Sequence, residues 1–110
     1  MIDTAVRLYG PAQPGTGNAT AYTVDASAQV VIRNIQFTNT TGTDATVSIS
    51  INGTAATASN CLFYLFTVAA SSSFPWPVFI VLNETDTLQI LQGTGSAITV
   101  TISGVKIDNA

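Results

Sequence analysis

The stretch Ala45-Thr46-Val47-Ser48-Ile49-Ser50-Ile51, followed by Asn52-Gly53, decides how this chain folds. Its apolar side chains sit at every second position, with hydroxyl side chains between them. Successive side chains of a strand point to opposite faces, so this pattern predicts a strand with one buried and one polar face. A helix of the same sequence would scatter the apolar groups around its circumference. Asn-Gly supports positive φ at the turn and is a hairpin signal.

The same period of two continues outward in both directions. Downstream, Leu88 and Ile90 share one face of a strand over Thr87–Gln92. Gly93-Thr94-Gly95 predicts a hairpin loop. Ile98, Val100 and Ile102 then alternate with Thr99, Thr101 and Ser103. Gly104 shifts the phase to Val105 and Ile107, which predicts a β-bulge. Upstream, Gln29–Asn39 carries Val30, Val31, Ile32, Ile35 and Phe37. Its phase slips between Ile32 and Ile35, predicting a bulge near Arg33-Asn34. A turn on Gly42 spans Thr40–Asp44. Thr4, Val6 and Leu8 make a first short strand, and Gly10–Gly17, with two prolines and three glycines, reads as a loop. Ala19–Val24 reads as a second strand, closed by a tight turn at Asp25-Ala26-Ser27. Further turns or loops fall at 55–60, Ala69–Ser73 and Asn83–Asp86.

No segment has helical periodicity. Seven or eight strands predict an all-β fold, an antiparallel β-sandwich of jelly-roll or immunoglobulin-like kind. At 110 residues the chain fits one domain. Residues 1–17 form an N-terminal strand and extended arm, and residues 18–110 the sandwich.

Composition narrows the function. Only 8% of residues are charged and 46% are hydrophobic, with a net charge of −3. That excludes the basic footprint of a nucleic-acid-binding protein and the composition of a disordered chain. One cysteine allows no internal disulfide and no cysteine-rich zinc site. Cys61, beside Leu62 and Phe63, reads as a small buried hydrophobe. With no histidine, the usual general base and the commonest metal ligand are missing. We expect no enzyme, no cofactor and no metal. The longest apolar runs, Cys61–Phe66 and Val78–Leu82, are too short to span a bilayer, and no signal-peptide pattern opens the chain. The expectation is synthesis in a cytosol and no membrane partner. Four Asn-x-Ser/Thr sequons, at Asn18, Asn39, Asn52 and Asn83, read as turn residues in a chain that is about a quarter Ser and Thr.

Two strands carry more apolar surface than one core needs. On Cys61–Val68, Leu62, Tyr64, Phe66 and Val68 alternate against Cys61, Phe63 and Leu65. On Phe74–Leu82, Phe79 and Val81 alternate against Val78, Ile80 and Leu82. Pro75 and Pro77 cannot donate to a ladder, so this second segment belongs at a sheet edge or in irregular extended chain. Either loops cover the second faces or a partner does. A few buried aromatic and aliphatic side chains, at about 25 cal/mol per Å2, favour association by several kcal/mol before entropic costs. The candidate contact residues are Tyr64, Phe66, Trp76 and Phe79.

Other candidates reduce to structure. Glu84 and Asp86 read as a solvated turn, and Ser71-Ser72-Ser73 has no histidine to activate it. Arg33, mid-strand among apolar residues, either pairs with a carboxylate across a subunit boundary or is turned to solvent by the bulge.

Ala21-Tyr22-Thr23-Val24, the turn at Asp25-Ala26, Val30-Val31-Ile32-Arg33-Asn34-Ile35 and Asn39-Thr40-Thr41-Gly42 together resemble a recurring small β-sandwich family of tailed bacteriophage virions. Those proteins run from a Tyr-Thr-Val-type strand through a Pro-Ala-Gly-type turn to a Val-rich strand ending in Asn-Thr. Ala45–Ile51, Thr85-Asp86-Thr87-Leu88 and Ile98–Val105 resemble the strand, turn and closing strand that follow. The likeness covers about residues 21 to 107. Asp25 stands where Pro is usual, Ser27 and Thr85 where Gly is usual, and Pro75-Trp76-Pro77 lies outside the pattern. The resemblance implies a virion component and carries over no catalytic residue. The expectation is a capsid decoration (cement) protein on the outer capsid surface, a homotrimer that bridges and stabilises major capsid subunits. Residues 1–17 would then clasp a neighbour. The alternative is a tail, baseplate or fibre component that contacts host glycans.

Overall fold

The alternating stretches become eight strands in the computed structural model, which describes residues 2–52, 60–93 and 95–108. They are β1 Ile2–Ala12, β2 Ala19–Thr23, β3 Ala28–Asn39, β4 Ala45–Ile51, β5 Cys61–Val68, β6 Ser73–Leu82, β7 Thr87–Gln92 and β8 Ile98–Asp108. Two four-stranded antiparallel sheets result. Sheet A has the order β1-β8-β3-β6 and sheet B the order β2-β7-β4-β5. The pairs β1–β8, β2–β7, β3–β6 and β4–β5 are nested, as in one long ribbon wrapped on itself. Pairing of β8 with β3 and of β7 with β4 closes the wrap. This is a jelly roll rather than an immunoglobulin-like sandwich.

The topology corrects the reading of Gly93-Thr94-Gly95. A hairpin there would place β7 and β8 side by side, yet they belong to different sheets. The connection therefore crosses the sandwich; Thr94 itself lies outside the described residues. Only β4 and β5 are neighbours both in the chain and in a sheet. Asn52, at the start of their connection, has φ 56, as a turn asparagine tolerates. Gly53 and most of the 55–60 loop lie outside the described residues.

The core forms between the inner faces. Val30, Ile32, Ile35 and Phe37 of β3 and Ile98, Val100 and Ile102 of β8 are fully buried against Val47 and Ile49 of β4 and Leu88 and Ile90 of β7. Each such side chain stabilises the fold by roughly 1.5–3 kcal/mol relative to exposure. In β4 the inner face is as predicted, but Ser48 and Ser50 of the polar face are buried as well. Ser48 Oγ accepts the backbone N–H of Leu65 at 2.9 Å.

Buried polar groups clamp both ends. Asn39 closes the turn that follows β3: its amide donates to the carbonyls of Thr43 (2.8 Å) and Val68 (3.0 Å), and its Oδ1 accepts the N–H of Thr41 (2.9 Å). Gln92 continues the inner-face phase of Leu88 and Ile90. Its amide donates to the carbonyl of Pro14, and its Oε1 accepts the N–H of Ile98 at 2.8 Å. One fully buried side chain thus ties the β1–β2 connection to β7 and β8.

The bulge read at Arg33-Asn34 is present: against β8 the extra residue is Arg33 of β3, since Ile32 pairs with Gly104 and Asn34 with Ser103. Against β6 the register shifts at the same place, with the extra residue on β6 between Ile80 and Pro77. The bulge read at Gly104 is placed differently. The register along β8 is unbroken, and the extra residues lie on its neighbours, at Arg33 of β3 and between Arg7 and Tyr9 of β1. Gly104 is glycine because the bulged neighbour comes close. A Cβ there would stand 2.0 Å from the Val31 carbonyl oxygen and 3.0 Å from the Ile32 Cα. Gly10 meets a similar limit, with φ +76 and 2.1 Å to the Val100 carbonyl oxygen. Strand β1 therefore runs on through Gly10 and Pro11 to Ala12, further than the proline and glycine content suggests.

Replacing Gly104 by alanine forces backbone against backbone. We expect Gly104→Ala to lower stability by about 2–4 kcal/mol, read as a lower urea midpoint at unchanged slope. Gly42→Ala, where nothing lies within 4 Å of the new Cβ, is the control and should stay within about 0.5 kcal/mol.

Candidate functional site

The edge strands β5 and β6 hold every exposed large hydrophobic side chain among the described residues: Tyr64, Leu65, Phe74, Phe79 and Val81. The two strands meet through their aromatic rings along one side of the sandwich. Phe66 packs against Phe74 at 5.3 Å and Trp76 at 5.7 Å, and Phe63 against Trp76 at 5.5 Å, mostly edge to face. Phe37 of the core touches both Phe63 and Phe66 at 5.4 Å. Phe74 and Trp76 stack at 5.2 Å. Edge-to-face and offset pairs of this kind each add about 0.5–1.5 kcal/mol beyond the area they bury.

This cluster exists because β5 breaks its own alternation. The sequence pattern puts Phe63 and Phe66 on opposite faces. In the structure both turn inward, because Leu65 takes φ 50 and the register against β4 shifts between Val47 and Ile49. The bulge leaves Tyr64 61% and Leu65 53% exposed. A left-handed leucine costs on the order of 1–2 kcal/mol, and its N–H bond to Ser48 helps hold it.

Strand β6 keeps its alternation and, as its prolines require, lies at a sheet edge. Leu82, Ile80, Val78 and Trp76 pack on the core, while Phe79 and Val81 face out. The four candidate contact residues thus divide. Tyr64 and Phe79, at 61% and 71% exposure, stand in solvent, and Phe66 and Trp76 are half-buried members of the aromatic cluster.

The outer face of sheet A continues this surface. Arg33 lies over the ring of Phe79, 5.8 Å from its centre. Arg33 and Arg7 line one shallow depression with Ala5, Thr101, Ser103 and Val105. Their convergence was not legible in the sequence, because only the registers of β1 and β3 on β8 bring them together. Neither has a carboxylate partner among the described residues. Lys106, the third cation, is neutralised elsewhere by Asp25 (2.6 Å) and Asp108 (3.7 Å). The hydrogen bond to Asp25 holds its ammonium above the ordinary lysine pKa.

Glu84 and Asp86 form a turn. Asp86 accepts the N–H of Asn83 (2.9 Å) and the Asn52 amide (3.1 Å), and the Glu84 carboxylate has no partner among the described residues. The serines are likewise spent on a turn: Ser71 Oγ donates to the Thr41 carbonyl and Ser72 Oγ to that of Ala69.

No protein-family model matches the chain, and no curated protein sequence matches it. Solved structures do share its fold. A chain of the T13 viral particle of IBDV superposes with a TM-score of 0.62 at 12% identity, over 97% of this chain and 31% of that one. This chain therefore spans about a third of that viral neighbour. A subunit of the disulfide-linked pili that form Bacillus endospore appendages gives 0.54 at 17%, over 99% and 88%. The Drosophila NLP-core, a pentamer-forming and histone-binding protein, gives 0.51 at 14%, over 98% and 100%. At identities this low, the superpositions show a common fold and nothing more.

The division of the candidate residues has a measurable consequence. Phe66→Ala and Trp76→Ala should each cost about 3 kcal/mol in chemical denaturation, because each opens a hole in the aromatic cluster. Tyr64→Ser and Phe79→Ser should change stability by no more than about 0.5 kcal/mol.

Proposed function

We propose that this chain is a structural subunit of a virus particle, and specifically a decoration (cement) protein on the outer capsid of a tailed bacteriophage. The observation that carries the reading is the concentration of exposed apolar side chains on β5 and β6. A low-charge chain with such a side gains by burying it. Tyr64, Phe66, Trp76 and Phe79 are the proposed contacts. Tyr64 and Phe79 would touch the partner directly, while Phe66 and Trp76 form the firm base beneath. The partners are further copies of the chain, in a trimer, and the major capsid protein. Each cement copy bridges neighbouring capsid subunits, so separating them would require exposing the shared apolar surface. Residues 1–17 would clasp a neighbour, their strand β1 being the other edge of sheet A.

The comparisons support an assembling protein. One structural neighbour belongs to a viral particle, one to a pilus and one to a pentamer. The alternative, a tail, baseplate or fibre component on host glycans, would use the stacked Phe74–Trp76 pair as a sugar platform. Trp76 is packed among aromatic rings rather than set in a polar groove, which favours the first reading.

Quantitative mass spectrometry of purified particles tests the proposal. A copy number near that of the major capsid protein is the expected result. A few copies per hundred would move the chain to the tail, and absence from particles would overturn the virion role.

A further inference from the structure

We propose that the outer face of sheet A is a self-complementary interface that binds the same face of a second copy about a twofold axis. The axis would run across the strands, along the row Ala5–Val105–Val31–Val81. The proposal concerns the isolated chain and does not rest on the particle role.

The register arranges this face in three rows. In the middle, Ala5 pairs with Val105, Val105 with Val31 and Val31 with Val81, so one apolar side chain from each strand forms a continuous bar. On one side of the bar lie Arg7, two residues beyond Ala5, and Arg33, two beyond Val31; both line the same depression. On the other side lie Asp3, two residues before Ala5 and paired with Ile107, and Glu84, in the turn that leaves β6 after Leu82. The Asn83 side chain that precedes Glu84 is held to this end of the sheet by Gln29, at 3.3 Å.

The internal pairing leaves a matched remainder. Lys106 takes Asp25 and Asp108, Asp86 is bonded into its turn, and Asp44 accepts the N–H of Ala70. Among the described residues, two guanidinium groups and two carboxylates are then left with neither an ionic partner nor a side-chain hydrogen bond: Arg7 and Arg33, Asp3 and Glu84. All four belong to this face or its rim.

A twofold axis along the apolar bar keeps each strand's position across the sheet and reverses its direction. Arg7 of one copy then lies over Asp3 of the other, and Arg33 over the Glu84 end of β6. The apolar bar meets its own image. Each contact occurs twice, as an isologous interface requires. Two such sheets pack about 10 Å apart, a distance that arginine and carboxylate side chains span together. A copy turned the other way would set arginine against arginine. The bar supplies the affinity, and the charged rows set the direction.

Sedimentation of the purified chain against concentration tests this. The expected result is a reversible dimer that weakens as salt is raised, since the charged rows are exposed and screened. Arg33→Glu and Glu84→Arg should each weaken the dimer by about tenfold or more, with the β-type circular dichroism kept. Mixing the two variants should restore it, because the heterodimer holds two attractive contacts while each homodimer holds two repulsive ones. Arg7→Asp with Asp3→Arg gives the same test on β1, should a variant at Arg33 fail to fold. A wild-type chain that stays monomeric into the millimolar range would overturn the proposal. So would a mixture that fails to recover the dimer, or an assembly that ignores these charges and is broken by Tyr64→Ser. A failed dimer leaves the particle role standing, and a chain absent from particles leaves the dimer standing.

Discussion

Pairing of β3 with β8 is the interaction on which the rest of this structure depends. It runs from Ala28 opposite Asp108 to Asn39 opposite Ile98, and it joins strands far apart in the chain. Without it, β1 and β6 would have no common sheet, since each is attached through one of these two strands. The bulge at Arg33 sits within this pairing, and it fixes much that follows. It switches β3 so that both Ile32 and Ile35 face the core. It brings backbone so close that position 104 must be glycine. It also turns Arg33 out over Phe79. One extra residue thus sets the packing inside the sheet and the chemistry outside it. So few local pairings also mean that loop-closure entropy must be met before most of the ladder forms, which makes slow folding the physical expectation.

The side formed by β5 and β6 is closed to one kind of association and open to another. An exposed strand edge ordinarily invites pairing with a further strand. Here Pro75 and Pro77 remove two donors from β6, and the left-handed Leu65 bends β5 out of regular pairing. Backbone addition is discouraged on both edges. What remains is side-chain surface: rings and aliphatic groups on a base of packed aromatics. Contacts made that way require shape complementarity, and they suit a closed assembly better than open-ended strand stacking.

Legibility followed the range of the signal. The period of two in β4 and β8 and the phase slip of β3 are local and were readable, as was the edge position that two prolines impose on β6. The crossover after β7 was not, because a glycine turn announces that the chain reverses without saying into which sheet. The phase of β5 was misread for a related reason: Leu65 is the last residue type from which a left-handed conformation is expected, so Phe63 and Phe66 seemed opposed. Gln92 continues an apolar period, yet its role depends on the carbonyl of Pro14, far away in the chain. The candidate surface was legible as an excess of apolar residues, while its split into standing and supporting side chains needed the bulge.

The two outer faces of the sandwich behave differently, and the difference lies in how their polar groups are satisfied. On sheet B, Gln89 accepts from Asn18 (3.0 Å) and donates to Thr20 (3.1 Å) and Thr87 (3.0 Å), so its polar groups are consumed within the chain. A face with its hydrogen bonds already made gains little from a partner. On sheet A the middle row is apolar and the two arginines are unneutralised. That face gains from desolvation and from ion pairing at once. It also adjoins the β5–β6 side at Phe79, which faces outward from sheet A and stands on the edge strand. Association through the outer face of sheet A leaves sheet B's outer face turned to water. In a chain with so few charges, solubility of an assembled form then rests on hydroxyl and amide groups, of which this sequence has an ample supply.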